Sequence, residues 1–328
     1  MNTLTRDVPG QGTAPARTRR LRGLAWLLVN QHRTALVVCA AAAVLGSITL
    51  VYQRAAMLDT LHGAGWPQGA VDTQGGNLAN RIQNDLNSWG TNLSSLPLLL
   101  GVFLGAPLVS SGQQDGTVRL VTTQSVPRGR WLRWQVGFAL VLAVVTVLPL
   151  SLLYGWWWRS VGPFAPDNWL SGSLFEASGP VPAAEALFMT ALGITVGALL
   201  RRPVAAMAVT LATSYVVAFA VDVYKDRLAT PHRVTFPLDG AQPAFLEHAV
   251  EADRWIGTAS GKLYGWGTCV SDSSPEACRA SLGIVNSVWD YFGKEQMAGM
   301  QWTAAGLYLA LGAALVGVLV WRSRRGPL

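Results

Sequence analysis

The chain has 328 residues, of which 51% are hydrophobic and only 13% charged, and its formal net charge is +7. So little charge, with the apolar residues gathered into long runs, excludes an ordinary soluble globular protein. The basic excess needs no nucleic acid to explain it, because the arginines follow the loops between the runs, as expected for a chain lying against anionic lipid heads.

Residues 1–18 are rich in Gly, Pro, Thr and Arg and read as a mobile tail. They lack the short apolar run and cleavage site of a secretory signal. Residues 19–29 place Leu21, Leu24, Ala25 and Leu28 on one helical face behind Arg19, Arg20 and Arg22. That is the pattern of a helix lying in the headgroup layer, although a plain extension of the first span fits the same residues. Six runs then approach the ~20 apolar residues that cross a hydrocarbon layer, at 34–52, 95–111, 136–158, 181–200, 204–223 and 302–321. Lipid offers no partner to a backbone amide, so each run is expected to be a helix. The predicted fold is an all-α polytopic membrane protein, with the tail 1–18 ahead of a single transmembrane domain, 19–328.

The connections alternate in character. Residues 53–94 are rich in Gly, Asn and Gln, with one short helix expected around 78–89. Residues 112–135 form a basic hairpin, 159–180 a polar connection, and Arg201-Arg202-Pro203 a tight turn. The loop 224–301 is the one sizeable extramembrane piece, and within it 281–292 reads as an amphipathic helix. Pro107 and Pro149 are expected to kink their spans.

Sidedness follows from counting Lys and Arg in alternate loops. Residues 1–33, 112–135, 201–203 and 322–328 together carry 15 basic residues against two acids, Asp7 and Asp115. The opposite set, 53–94, 159–180 and 224–301 with Asp222 at its edge, carries 10 basic and 15 acidic residues. Both termini and the hairpin are therefore expected on the cytoplasmic side of a plasma membrane. Trp156, Trp157, Trp158 and Trp302 are expected at the outer interface, and Trp26, Trp131, Trp134 and Trp321 at the inner one, since amphipathic rings favour that depth. On the outside thiols are not kept reduced, so Cys269 and Cys278 in the 224–301 loop are expected to form a disulfide. A zinc pair fits less well, because no His stands at ligand spacing nearby. Cys39 reads as a small packing residue within the first span.

Catalytic chemistry is nearly absent. His32, His62, His232 and His248 form no metal-binding pair, and Glu247-His248 lacks the partner a helical zinc site needs. The stretch Gly257-Thr258-Ala259-Ser260-Gly261-Lys262-Leu263 resembles a phosphate loop but is one residue short between its glycines and has no Ser or Thr after the Lys. The inner segments together are too short for an ATP-binding domain. Glu185, alone among the charges in lying well inside a span, reads either as a group on a translocation path or as a carboxylate near the outer interface that reaches out to it.

The hairpin carries the most information. It runs Gly112-Gln113-Gln114-Asp115-Gly116-Thr117-Val118-Arg119, then Thr122-Thr123-Gln124-Ser125-Val126-Pro127-Arg128-Gly129-Arg130-Trp131. Too small to fold alone, it has the size of a knob that a cytoplasmic partner could grip, with Arg119, Arg128, Arg130 and Arg133 projecting charge and Trp131 and Trp134 at its base. A loop that merely sets topology would also be basic.

The order of its residues resembles the type 2 ATP-binding-cassette (ABC) transporter permeases, most of all an actinobacterial subgroup. Gly105-Ala106-Pro107-Leu108-Val109, Gly116-Thr117, Leu120, Thr123-Gln124-Ser125-Val126, Arg128, Arg130 and Trp131 match that subgroup's second span and hairpin over about 30 residues. One departure stands out: family members usually carry a Glu four positions before the Gly-Thr pair, where this chain has Gly112. The resemblance implies a permease whose coupling helix is the hairpin, with Asp115, Gly116, Thr117, Arg119, Thr123, Gln124, Ser125, Arg128, Arg130 and Trp131 in the docking set. It further implies a separate ATPase that binds ATP and Mg, a second permease protomer, and no catalysis or cofactor in this chain. The apolar spans point to export of an amphipathic or hydrophobic cargo. In that family a re-entrant outer helix precedes the sixth span, a place that 281–292 would take. A sensor or immunity protein of the same fold, binding its ligand through 224–301, is the principal rival. A membrane enzyme would need more acids or histidines at one depth, and a secondary transporter would need ion-site acids and internal repeats.

Overall fold

The computed structural model describes residues 24–68, 76–114, 128–164, 168–170 and 172–325. Helix α1 (Leu24–Gln31) is separated from α2 (Arg33–Gly63) by His32, whose backbone leaves the helical region at φ −109°, ψ 26°. Residues 24–31 are thus a helix of their own and not an extension of the span. Next come α3 (Asn77–Ser94), α4 (Leu96–Leu100), a π-helical turn (Gly101–Gly105) and α5 (Ala106–Gln114), which follow one another with a break only at Ser95. Beyond the hairpin lie α6 (Arg128–Ser160), the short α7 (Ser173–Ala177), α8 (Val181–Leu200) and α9 (Pro203–Tyr224). In the 224–301 loop there is α10 (Pro275–Ser281), and α11 (Gln296–Arg325) follows it.

Six helices are long and apolar enough to cross a membrane: Arg33–Gly63, Asn77–Ser111, Gly129–Ser160, Val181–Leu200, Pro203–Arg227 and Gln296–Arg324. They contain the six expected runs. The second has 35 residues, roughly 50 Å of helix against ~30 Å of hydrocarbon. Its first half is the helix expected near 78–89, and its buried positions Ala79, Ile82, Leu86, Gly90 and Leu93 recur every three or four residues.

Span four, α8, is the hub. Of its 20 residues 15 are buried, and it touches two apolar cores. One, toward the hairpin, gathers Leu104, Leu108, Val136, Leu142 and Ile194. The other, toward the 224–301 loop, gathers Leu86, Tyr154, Trp157, Phe175 and Met189. Arg201 ends α8 in the left-handed region, φ 56°, with its N–H donating to the Gly197 carbonyl. Pro203 opens α9 where no amide donor is required, so Arg201-Arg202-Pro203 is the expected tight turn. Span one, α2, is by contrast thinly covered: Cys39, Leu50, Met57 and Leu61 are its buried residues.

Two expectations are corrected. Residues 281–292 are not a helix: α10 stops at Ser281, Gly283 turns the chain at φ 66°, and Ile284–Phe292 is a strand. That strand, β4, is central to a four-stranded antiparallel sheet with β1 (His232–Pro237), β2 (Val250–Thr258) and β3 (Leu263–Gly265), in the order β1-β4-β2-β3. The place that the family's re-entrant helix would take is therefore held by sheet. Pro107 stands just beyond the π-helical turn of Gly101–Gly105, an irregularity of the kind at which helices bend. Finally, of Trp156, Trp157 and Trp158 only the first faces outward; Trp157 is fully buried, its indole N–H donating to Met57 Sδ at 3.3 Å.

Candidate functional site

Residues 115–127 of the hairpin, with Asp115, Gly116, Thr117, Arg119, Thr123, Gln124 and Ser125, lie outside the described residues. Its two legs do not. Arg128 opens α6 and Arg130 is exposed two residues on. Trp131 is half-buried and packs on the core that holds Leu108, Val109, Leu132 and Val136, while Trp134 is the one turned outward. In the other leg the Ser110 and Ser111 hydroxyls donate back to the carbonyls of Ala106 and Pro107, at 2.8 and 2.7 Å, which satisfies polar groups at the foot of the span.

The leg from span two runs into a seam of glycine. Span two carries Gly101 and Gly105, span four Gly193 and Gly197, each pair spaced G-x-x-x-G. A Cβ on Gly193 would stand 2.1 Å from the Gly101 carbonyl oxygen, and one on Gly197 2.2 Å from that of Ala106. From the other side, a Cβ on Gly105 would meet the Thr190 carbonyl oxygen at 2.6 Å. Missing side chains let the two backbones touch, the standard device of helix pairs in lipid. On span two this contact coincides with the π-helical turn, in which the Ala106 N–H reaches the Gly101 carbonyl five residues back. Pro107 follows directly. The wider turn makes room for its ring, which would otherwise press on the carbonyl of Phe103.

Glu185 sits one turn inside span four at the opposite end and is only 8% exposed, so its carboxylate does not reach out to solvent. It shares this region with Glu176 and Tyr308, near enough for their charges to interact. Glu176 lies on α7, outside the spans; burial pushes its carboxyl above the ordinary range, Lys225 opposes that shift and Asp222 adds to it. Lys225, itself buried, pairs with Asp222. Gln301 of span six ties the stretch that carries Glu176 to the bundle, donating from Nε2 to the carbonyls of Phe175 and Ser178 at 3.0 and 3.1 Å.

The sheet presents a second polar arrangement. Arg254 on β2 is layered between two indoles, 3.8 Å from the ring centre of Trp289 and 4.6 Å from that of Trp266, and donates to Glu251 at 2.5 Å. Across the β1–β4 ladder, where Arg233 stands opposite Asp290, both guanidinium–carboxylate bonds measure 2.7 Å. The hydrogen bonds from Arg233 hold the Asp290 carboxyl below the usual range. Cys269 and Cys278 are joined in a disulfide. With Asp272 they make the one close trio of metal-ligand types found among the described residues, and there the sulfurs are bonded to each other.

Sequence reasoning overlooked two features. The paired G-x-x-x-G spacings were visible in the apolar runs. The grouping of Glu185, Tyr308, Asp222 and Lys225 around Glu176 had no local signal, because these residues come from four separate elements: α7, span four, span five and span six.

A family model described as ABC-2 membrane transporter related matches residues 25–225. Neither a curated protein nor a solved structure matches the chain.

Proposed function

The chain belongs to the ABC-2 membrane transporter related family, and on that footing we propose that it is the permease subunit of an ABC exporter. A separate ATPase, which holds ATP and Mg, grips the hairpin 112–135 on the cytoplasmic side, where both termini also lie. Arg119, Arg128 and Arg130 supply charge to that contact; Asp115, Gly116, Thr117, Thr123, Gln124 and Ser125 shape it. Two such permeases and two ATPases form the working transporter. Closure of the ATPases on ATP pulls the hairpin, and the spans respond by alternating access.

The observation that carries this reading is the glycine seam. A hairpin can transmit force only if its legs are fixed to the rest of the bundle. Here the leg from span two meets span four backbone to backbone, and span four in turn contacts spans two, three, five and six. The six apolar spans suit an amphipathic or hydrophobic cargo, and Glu185 is the charged group placed to meet it near the outer side.

The test is co-purification with the cognate ATPase. Changing Arg119 and Arg128 to Glu should cut the retained ATPase by about tenfold or more, since like charge at an interface raises its cost by at least ~1.4 kcal/mol. Full retention would overturn the docking assignment. A second reading, a sensor that binds ligand through 224–301, is favoured by the folded, disulfide-bearing sheet with its indole-layered arginine; such a protein would hold its ligand without moving it.

A further inference from the structure

Between α1, span one and span three a groove of about 760 Å³ opens sideways at the hairpin end. One wall is a single stripe of α6 formed by Arg130, Arg133, Gly137, Val141 and Val145, positions that recur every three or four residues. Val29 of α1 and Leu36 of span one form the other wall. The two walls are pinned where the His32 ring stacks on Phe138, 5.7 Å between centres.

The stripe changes character along its length. Its first turn is cationic, and among the described residues neither Arg130 nor Arg133 meets a carboxylate. Trp134, 49% exposed, marks the boundary, at the depth that indoles favour. Below it the lining is apolar, with Val141 and Val145 64% and 58% exposed. From Trp134 to Val145 a helix descends roughly 16 Å, about half of the ~30 Å hydrocarbon thickness. The groove therefore has the length of one leaflet, with positive charge at its headgroup end. Gly137 deepens it: a Cβ there would find nothing within 4 Å.

We propose that this groove is a binding site for an anionic phospholipid of the leaflet on the hairpin side. The phosphate lies against Arg130 and Arg133, and one acyl chain runs down the Gly137–Val145 trough against Leu36. Charge complementarity selects the headgroup. A zwitterionic lipid fills the trough equally well but carries no net charge to answer two arginines. The site shares Arg130 with the docking contact proposed above, but the two are told apart by readout: lipid is counted on the chain without ATPase at Arg130 and Arg133, and docking is tested at Arg119 and Arg128.

The full-length chain, purified in mild detergent and delipidated, would be incubated with phosphatidylglycerol or phosphatidylcholine, and bound lipid counted by native mass spectrometry. One phosphatidylglycerol per chain should be retained in preference to phosphatidylcholine. Changing Arg130 and Arg133 together to Gln should weaken that binding by about 30-fold, the combined attraction of two basic groups for an anionic surface. Gly137→Trp, which fills open space, should displace either lipid. Equal retention of the two lipids, or undiminished phosphatidylglycerol on the double Gln variant, would overturn the proposal. So would a Gly137→Trp chain that loses self-association while keeping its lipid, since the groove would then be a contact between copies. Should that variant fail to fold, the arginine pair still decides the matter.

Discussion

Gly193 and Gly197 show what the absence of one carbon atom contributes. The atoms their Cβ would strike are backbone carbonyl oxygens on span two, which cannot swing aside as a side chain can. Gly193→Ala should therefore destabilise the detergent-solubilised protein by about 1–3 kcal/mol, the cost of overpacking, and lower its thermal unfolding midpoint. Gly137→Ala, with nothing within 4 Å of the new atom, should leave the midpoint unchanged or raise it slightly. A second residue-level expectation concerns pH. Asp290 is held below the usual carboxylate range by Arg233, so its contribution is fully present above the unfolded value of ~3.9 and lost as pH falls through the lower, folded value. Because the Arg233 side chain is 54% exposed, the pair is worth about 1 kcal/mol or less. Arg233→Gln should flatten acid unfolding of the sheet, followed by tryptophan fluorescence, and an unaltered acid limb would contradict the assignment. Of these groups Glu185 was legible as an isolated charge in an apolar run. Its company was not, because the electrostatic neighbours Glu176 and Tyr308 are brought beside it only by folding.

Helices of the bundle were readable from composition because lipid admits few alternatives: an apolar run of sufficient length must satisfy its own amides. Their ends were less so. Span two continues upward from 95 into Asn77–Ser94 because polar residues on one side of that helix face water while Ile82, Leu86 and Leu93 stay buried. Segment 281–292 misled for a definite reason. Ile284, Val288 and Phe292 are spaced by four, which satisfies a period of two as well as one near 3.6. Asp290, buried against Arg233, and the β-branched and aromatic content decide for a strand. The disulfide was legible, since both cysteines fall in one loop on the side with fewer basic residues. Replacing Cys269 and Cys278 by Ser should cost the loop about 2–4 kcal/mol of local stability. Limited proteolysis should then cut within 259–283 while the spans stay intact; equal resistance in the two proteins would show that the bridge is dispensable.

Assembled, the bundle has two unlike ends: a short basic hairpin at one, a folded sheet at the other. Its orientation in the membrane is a testable consequence of the arginine distribution. A cysteine placed at Gly261 should react with a membrane-impermeant maleimide in intact cells, and one placed at Gly116 only after lysis; the reverse pattern would invert the molecule. The thin burial of span one has a consequence for how the protein is made. Its main packing partner in the chain is span three, through pairs such as Arg54 with Ser160, 106 residues apart, and Met57 with Trp157, 100 apart. At ~5–20 residues per second the ribosome needs roughly 5–20 s to bridge that gap. Span one thus waits in the bilayer, neighboured chiefly by lipid, until its mate is threaded in.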